Sequence, residues 1–338
     1  MSQVSQVSHG RACVVAVNVA LTAAIVLSGC SAGTSSGATG PPGAAGTGVP
    51  AAFAIDQDFP DPDLLRVGTS YYAYATNTAA ANVQLATSDD LTKWTISDVD
   101  ALPRLPSWAL PGKTWAPDVS EPSPGRYVMY FVAANAQPSL QCIGVATATA
   151  PEGPFVSAGE AALLCPPVEG GAIDPSTFTD SDGTRYLVWK NDGNCCALDT
   201  WLQMAPLSKD GLRLAGAATK LIKAGAPWEG ALIEAPVLVR HGSKYVLFYS
   251  ANNYSGASYA IGYATASTVT GPYTKHGPAL LSTASSRGRF LGPGGQDLVS
   301  PPGGSDQIVF HSWDAAVVCR GMNVLPLEWR NDEPVLAP

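Results

Sequence analysis

The sequence predicts an all-β fold, a five-bladed β-propeller, on two observations. Five segments share one pattern, namely an acidic residue, a short apolar strand, a polar turn and an aromatic-rich strand, and they recur every 56 to 63 residues. A second strand-like element, bounded by Gly, Pro, Asp and Ser, follows each of them. A period near sixty with about four strands per unit makes each unit a self-contained blade. The five segments begin at Asp61, Asp118, Asp174, Glu234 and Asp297.

The first 52 residues are predicted to lie outside the propeller. Residues 1–29 combine a polar, basic-ended start, an apolar run over 12–27 and small residues before Cys30, which is the arrangement of a secretory signal. The Leu-Ser-Gly-Cys sequence resembles a bacterial lipobox, which implies cleavage before Cys30 and lipidation of that residue. The alternative is an ordinary signal and a free secreted protein. Residues 30–52 are mostly Gly, Ala, Ser, Thr and Pro, and we expect a flexible tether.

The propeller domain is expected to cover residues 53–338. Residues 53–59 and 324–338 are the candidates for closing the ring, because a propeller usually completes one sheet with strands from both termini. We find no amphipathic helix pattern after the signal. Charged residues make up only 14%, the net charge is −8 and no Lys/Arg cluster occurs, which argues against a nucleic-acid partner.

Five cysteines remain after the signal and the lipidation site, and outside the cytoplasm they are expected to form disulfides. Cys142 and Cys165 fall within one repeat unit and are the first candidate pair. Cys195 or Cys196 is expected to pair with Cys319, which would leave one thiol over. Zinc binding is the rival interpretation, but no Cys-x-x-Cys pair or nearby His supports it.

The acidic residues are candidates for catalysis because the repeat brings them together. Radial arrangement brings the same position of every blade to one mouth of the central channel. We take the five acids to occupy one such position, just before the first strand of each blade, and therefore expect them to converge there. An acidic rim exposed to solvent is the alternative. Each of the first four acids, however, lies beside Pro or an apolar residue. Carboxylates crowded in such surroundings differ in pKa, and an acid with a raised pKa beside an ionised base is what glycosidic cleavage requires.

Six motifs resemble glycoside hydrolase family 43, within the wider clan of five-bladed furanosidases and fructosidases. The resemblance extends over essentially all of 53–338, and the motifs occur in order on the repeat period. They are FPDPDLLRVGTSYYAYATN (59–77), TWAPDV (114–119), IDPSTFTDSDGTRYLVW (173–189), EAPVLVRHGSKYVLFYS (234–250), GPGGQD (292–297) and VFHSWD (309–314).

The resemblance implies a role for three residues. Asp61 matches the general base, which activates a water on the far face of the sugar. Glu234 matches the general acid, which protonates the leaving oxygen. Asp174 matches a third carboxylate, which orients that acid and favours its protonated form. Because the family inverts the anomeric centre, base and acid are expected roughly 6.5–9.5 Å apart.

Five further residues are candidates for substrate binding. Trp115 could stack on a sugar face or wedge between blades, and Asp118 could bind a hydroxyl. Trp228 is a subsite candidate, with blade packing as the alternative, and Arg289 resembles a family arginine that contacts the sugar. His311 resembles an axial His that often lies beside a cation or water, although a lone His on a strand is more often a satisfied core group.

The implied function is inverting hydrolysis of furanoside or xyloside linkages in polysaccharide, with α-L-arabinofuranosidase or arabinan-degrading activity favoured. β-Xylosidase and galactofuranosidase are alternatives from the same family, and a retaining fructan enzyme is disfavoured. A non-catalytic glycan-binding surface lipoprotein is the alternative from another class of protein.

No cofactor is required. Whether a structural Ca²⁺ or other cation binds at the axis is left open, and His311 is its candidate ligand. In the GPGGQD motif, Gln296 stands where many family members carry a His, which weakens the inference of a metal ligand there. The expected location is extracytoplasmic, with membrane attachment only through the lipid.

Overall fold

Within residues 52–137 and 139–337, which the computed structural model describes, the chain forms twenty β-strands and three short 3₁₀ turns. The predicted signal peptide, nearly all of the tether and Cys30 lie outside the described residues. In this part of the chain no helix is long and apolar enough to span a bilayer. The 3₁₀ turns are Pro167–Glu169, Gly193–Cys196 and Pro227–Glu229.

The strands form five four-stranded sheets, each built from four consecutive antiparallel strands, so the predicted five-bladed propeller is confirmed. In every sheet the first strand is the innermost. The strands of the first two blades are β1 (Asp63–Val67), β2 (Ser70–Ala75), β3 (Gln84–Ser88), β4 (Thr95–Ile96), β5 (Ala109–Ser123), β6 (Arg126–Asn135), β7 (Leu140–Ala148) and β8 (Val156–Ser157). Those of the other three are β9 (Ala172–Thr179), β10 (Arg185–Asn191), β11 (Trp201–Pro206), β12 (Thr219–Lys223), β13 (Ile233–His241), β14 (Lys244–Ala251), β15 (Ala260–Ala266), β16 (Thr274–Ser282), β17 (Leu291–Val299), β18 (Gln307–Trp313), β19 (Arg320–Arg330) and β20 (Glu333–Leu336).

The hydrophobic core lies between adjacent blades. Strands such as β6 and β14 are rich in Val, Tyr and Phe and are buried on both faces. One cluster joins Tyr74 of the first blade to Phe131 of the second, and another joins Trp189 of the third blade to Val132 of the second. Each blade therefore buries its apolar faces against its neighbours, which fixes the inner strands around one axis.

The N-terminal segment closes the ring. The backbone N–H of Ala54 donates to the carbonyl of Met322 at 2.8 Å, and the N–H of Phe59 donates to the carbonyl of Arg320 at 3.0 Å. The segment thus extends the fifth blade along β19, while Phe59 and Leu64 pack in the cluster that joins the first and fifth blades. This contact accounts for the closure expected from residues 53–59.

Two disulfides lie in the second and third blades. Cys142 pairs with Cys165, as predicted. The expected pairing of Cys195 or Cys196 with Cys319 is wrong, because Cys195 and Cys196 pair with each other. Their turn, Gly193–Cys196, brings the two adjacent residues together locally, a possibility that sequence spacing did not suggest.

Candidate active site

One pocket of about 540 Å³ opens at the axis, between the inner strands of all five blades. This volume falls in the range of small-ligand sites. All five acidic residues predicted to converge line it: Asp61, Asp118, Asp174, Glu234 and Asp297. The pocket therefore brings together residues that are more than 230 positions apart in the chain.

The acids do not occupy equivalent positions, which corrects the expectation from the repeat. The equivalent position of each blade is a residue with positive φ, followed by Pro in four blades: Asp61, Ala116, Asp174, Ala235 and Gly295. Glu234 precedes this position by one residue, whereas Asp118 and Asp297 follow it by two. Because residues with positive φ are backbone-strained when they are not Gly, Asp61 and Asp174 are held in conformations that the surrounding sheet must enforce.

Asp61 is fixed by contacts from the first and fifth blades. Its Oδ2 accepts a hydrogen bond from Thr76 Oγ1 at 2.8 Å and lies 3.9 Å from the guanidinium of Arg320. Its backbone N–H donates to Nδ1 of His311 at 3.1 Å. Thr76 Oγ1 also accepts from the N–H of Ala116, which ties the first and second blades together at this carboxylate. Asp61 is thus oriented while a quarter of its side chain stays exposed to the pocket.

Glu234 is held at both oxygens. Lys190 Nζ lies 3.0 Å from Oε2, and the hydroxyl of Tyr259 donates to Oε1 at 2.9 Å. Lys190 is 0% exposed, so its ammonium is stabilised by the carboxylates around it, which include Asp192 at 3.9 Å. The carboxyl of Glu234 is therefore fixed in place in the pocket wall.

Asp174 is the third carboxylate of this group. Its Oδ2 accepts from the backbone N–H of Ala235 at 2.9 Å, next to Glu234 in the chain. Burial, and then the negative charge of Glu234, raise the pKa of Asp174 to about 7, while Lys190 opposes the rise. Asp174 therefore holds its proton up to near neutral pH.

A deeper layer of carboxylates lies at the next inward-facing position of three blades. Each accepts a backbone N–H from the following blade: Asp63 from Val119 at 2.9 Å, Asp118 from Thr177 at 2.8 Å, and Asp297 from Leu64 at 2.8 Å. Burial raises the pKa of Asp118 to about 6 and that of Asp297 to about 7. Burial and the charges of the other two raise the pKa of Asp63 well above its usual value. These acids link the blades around the axis.

The deeper layer makes stability dependent on pH. The carboxyls of this layer have pKa values above the value near 4 that they have in the unfolded chain. Between pH 4 and pH 7 the folded protein therefore binds more protons than the unfolded chain, and its stability falls as the pH rises through this range. We expect the free energy of unfolding to fall between pH 5 and pH 8, with Asp297 contributing about 2–3 kcal/mol. Urea denaturation of Asp297→Asn should show a free energy of unfolding that depends less steeply on pH than in the wild type. Asp98→Asn, at an exposed carboxyl, is the control and should keep the wild-type dependence on pH. The same dependence on pH in both variants would contradict the expectation.

The structure separates the five predicted substrate-binding residues. Trp115 and Asp118 line the pocket. Trp228 does not: its ring stacks on Tyr249 at 5.9 Å in the core between the third and fourth blades, so the packing alternative holds. Arg289 also lies outside the pocket wall, exposed, with its guanidinium over the ring of Phe290 at 5.0 Å.

His311 lies at the axis beneath Asp61. It is completely buried and its ring stacks on that of Tyr259 at 5.8 Å. Burial, together with the nearby charge of Arg320, lowers the pKa of His311 well below its ordinary value, so the ring is neutral. Its Nδ1 accepts the N–H of Asp61, and its role in the structure is to position that residue.

The residues present do not fit a cation held by protein ligands. Among the described residues, no group of three or more His, Cys, Asp or Glu side chains could hold a metal ion. The side-chain oxygen of Gln296 accepts from Ser250, and its amide donates to the carbonyl of Ala235. His311 offers only Nε2, which has no hydrogen-bond partner. We derive no step through a metal.

Sequence reasoning missed several site residues, among them Asp63, Lys190, Tyr259 and Arg320. Lys190 is the penultimate residue of β10, which begins in the third motif, and its only signal was a cation directly after the apolar run Tyr-Leu-Val-Trp. Arg320 lies over the rings of Tyr254 and Trp313 at 5.3 and 5.6 Å, from which it reaches Asp61. Nothing in the sequence marked Tyr259, just before β15, or Arg320, at the start of β19, as a site residue.

A five-bladed propeller whose axial pocket holds a fixed Asp, a fixed Glu and a third carboxyl with a raised pKa is the architecture of a glycoside hydrolase. The family model for glycosyl hydrolases family 43 matches residues 54–335. The chain therefore belongs to glycosyl hydrolases family 43, and the prediction of an inverting glycosidase is confirmed.

Individual relatives agree with this assignment. The chain is 26% identical to the extracellular endo-α-(1→5)-L-arabinanase 1 of Bacillus subtilis (strain 168), over 75% of this chain and 80% of the relative. It is 25% identical to the β-D-galactofuranosidase xynD of Aspergillus niger, over 75% and 73%. The crystal structure of a thermostable family-43 glycoside hydrolase superposes with a TM-score of 0.75 at 28% identity, covering 83% of this chain and 93% of that one.

Proposed function

We propose that this hydrolase cleaves α-L-arabinofuranosyl linkages in arabinan-type polysaccharide. The observation that carries the proposal is the meeting of Asp61, Asp174 and Glu234 in one sugar-sized pocket, where neighbouring side chains hold the carboxylates of Asp61 and Glu234 in place. The arabinanase of Bacillus subtilis supports the choice of sugar. The Aspergillus niger enzyme keeps galactofuranoside as the second candidate, and β-xyloside is the further alternative within the family.

The proposed reaction is a single displacement. Glu234 donates a proton to the glycosidic oxygen as the bond to the anomeric carbon breaks. Asp61 removes a proton from a water that attacks the opposite face of that carbon. Asp174 is proposed to orient Glu234, because its Oδ2 accepts the backbone N–H of Ala235, the next residue in the chain. Trp115 and Asp118, which line the same pocket, are proposed to contact the sugar.

Release of reducing sugar from arabinan, galactofuranan and xylan, with the matching 4-nitrophenyl glycosides, tests the proposal. We expect the arabinofuranosides to be cleaved fastest, and proton NMR of the first-formed product to show inverted anomeric configuration. A faster galactofuranoside or xyloside would replace the proposed substrate. Glycan binding without release of sugar by the wild-type protein would favour the non-catalytic binding protein.

We further propose an extracytoplasmic location, with residues 1–29 as the signal and a lipid on Cys30. The word extracellular in the name of the Bacillus subtilis relative supports the location. The apolar run over 12–27 followed by Leu-Ser-Gly-Cys supports the lipid. Detergent-phase partitioning of the protein from intact cells tests the anchor: recovery in the aqueous phase alone would exclude it.

A further inference from the structure

The disulfide between Cys195 and Cys196 lies at the rim of the active-site pocket, and the reaction described above does not use it. Both residues are exposed, and Cys195 lines the pocket together with its neighbour Asn194. Their turn, Gly193–Cys196, directly follows the strand that delivers Lys190 to Glu234. The disulfide thus lies on the same blade as the lysine that holds the proposed acid.

The turn is fixed by bonds that do not depend on the disulfide. The buried side chain of Asn191 donates to the carbonyls of Glu169 and Asp199, both at 3.0 Å, and accepts from the N–H of Trp201. The N–H of Leu198 donates to the carbonyl of Gly193 at 2.9 Å. Losing the sulfur–sulfur bond therefore leaves the course of the backbone anchored.

Exposed aliphatic side chains occur in the two segments that meet at the disulfide. Cys195 Sγ lies 3.4 Å from the carbonyl oxygen of Gly170, which places the disulfide beside the turn Pro167–Glu169. Val168 in that turn is 85% exposed, and Leu198 is 46% exposed. Polarisable sulfur beside exposed aliphatic groups suits the C–H face of a sugar ring, while the Asn194 amide offers hydrogen bonds to a hydroxyl.

The side of the pocket on which the disulfide lies identifies the sugar it would meet. Asp61 is held by Thr76 and Arg320, from the first and fifth blades. Glu234 is held by Lys190, which precedes the disulfide in the third blade. Since the acid protonates the leaving oxygen, the sugar attached to that oxygen lies on the side of Glu234.

We propose that the Cys195–Cys196 disulfide and Asn194 form the binding site for the sugar unit released as the leaving group. The inference rests on the proposed function, because it takes Glu234 as the acid. The site contributes binding of a sugar ring rather than proton transfer. Substrates whose leaving group contains a sugar use it, and substrates with a single-atom leaving group do not.

Steady-state kinetics of Cys195→Ala/Cys196→Ala on arabinotriose and on α-L-arabinofuranosyl fluoride test the proposal. We expect KM for the trisaccharide to rise roughly tenfold with kcat within about twofold, the signature of lost binding that is equal in ground and transition states. The kinetics on the fluoride, and the pH profile of kcat on the trisaccharide, should stay as in the wild type. Asn194→Ala, which keeps the disulfide, should raise the same KM in the same direction.

Cys142→Ala/Cys165→Ala, at the other disulfide, is the matched control. It should leave unchanged the ratio of kcat/KM on arabinotriose to kcat/KM on the fluoride. An unchanged KM for the trisaccharide in the Cys195 and Cys196 variant overturns the inference. So does an equal loss on both substrates, or a shifted pH profile, because either would show that the disulfide supports the acid rather than a sugar. Failure of the wild type to cleave arabinotriose would instead refute the proposed function.

Discussion

Glu234→Gln is expected to lower kcat/KM on arabino-oligosaccharides by about 10³-fold to 10⁴-fold, the upper part of the range for general acid catalysis. The amide cannot give a proton to the departing sugar oxygen. Fluoride needs little protonation to leave, so α-L-arabinofuranosyl fluoride should be cleaved at a rate much nearer to that of the wild type. Asp61→Asn should lose activity on both substrates to a similar extent, because every substrate requires an activated water.

The contrast between the two substrates separates the acid from the base. Steady-state rates on the oligosaccharide and the fluoride measure it, and circular dichroism checks folding. Glu160→Gln, at an exposed side chain, is the control and should behave as the wild type. Equal losses on both substrates for Glu234→Gln, or a retained fluoride rate for Asp61→Asn, would reverse or exclude the proposed roles.

Lys190→Met is expected to destabilise the fold by about 3–5 kcal/mol, the cost of removing one partner from a buried ion pair. The ammonium is completely buried, 3.0 Å from Glu234 and 3.9 Å from Asp192. Without it those carboxylates stay in the pocket wall with no cation to offset their repulsion. Urea denaturation measures the loss, and Lys223→Met, at an exposed lysine paired with Asp199, is the control with an expected change below about 1 kcal/mol.

The same substitution should also move the pH dependence of the reaction. Lys190 holds down the pKa of Asp174, so removal of Lys190 raises that pKa further and Asp174 keeps its proton to higher pH. The alkaline limb of kcat against pH is therefore expected to shift upward. A limb that moves downward, or a stability loss no larger than that of Lys223→Met, would contradict the role given to this lysine.

The sequence predicted the blades and most of the pocket because both follow from the repeat. Alternating strands at a period near sixty can bury their apolar faces only against neighbouring copies, and radial closure then carries the start of every inner strand to the axis. Asp61, Asp118, Asp174, Glu234 and Asp297 could therefore be expected at one pocket without knowing any side-chain contact. The exact offset of each acid could not, because strand register shifts at bulges inside the inner strands, as between Glu234 and Val237.

Trp228 and Arg289 show where proximity in sequence misleads. Both precede a motif closely, yet the turn Pro227–Glu229 directs Trp228 onto Tyr249 between blades, and Arg289 covers Phe290 at the surface. The pairing of Cys195 with Cys196 was equally hidden, since a local turn decided it rather than the repeat.

By itself, then, the sequence determined the five-bladed fold, the family and most of the pocket carboxylates, because strand periodicity and turn residues are local and repeat along the chain. Only the tertiary structure decided which groups hold those carboxylates. Lys190 and Arg320 each reach a carboxylate of the neighbouring blade, and Tyr259 reaches Glu234 from the far side of its own blade's second strand. Contacts between blades depend on register and side-chain direction, and no pattern within a single strand encodes them.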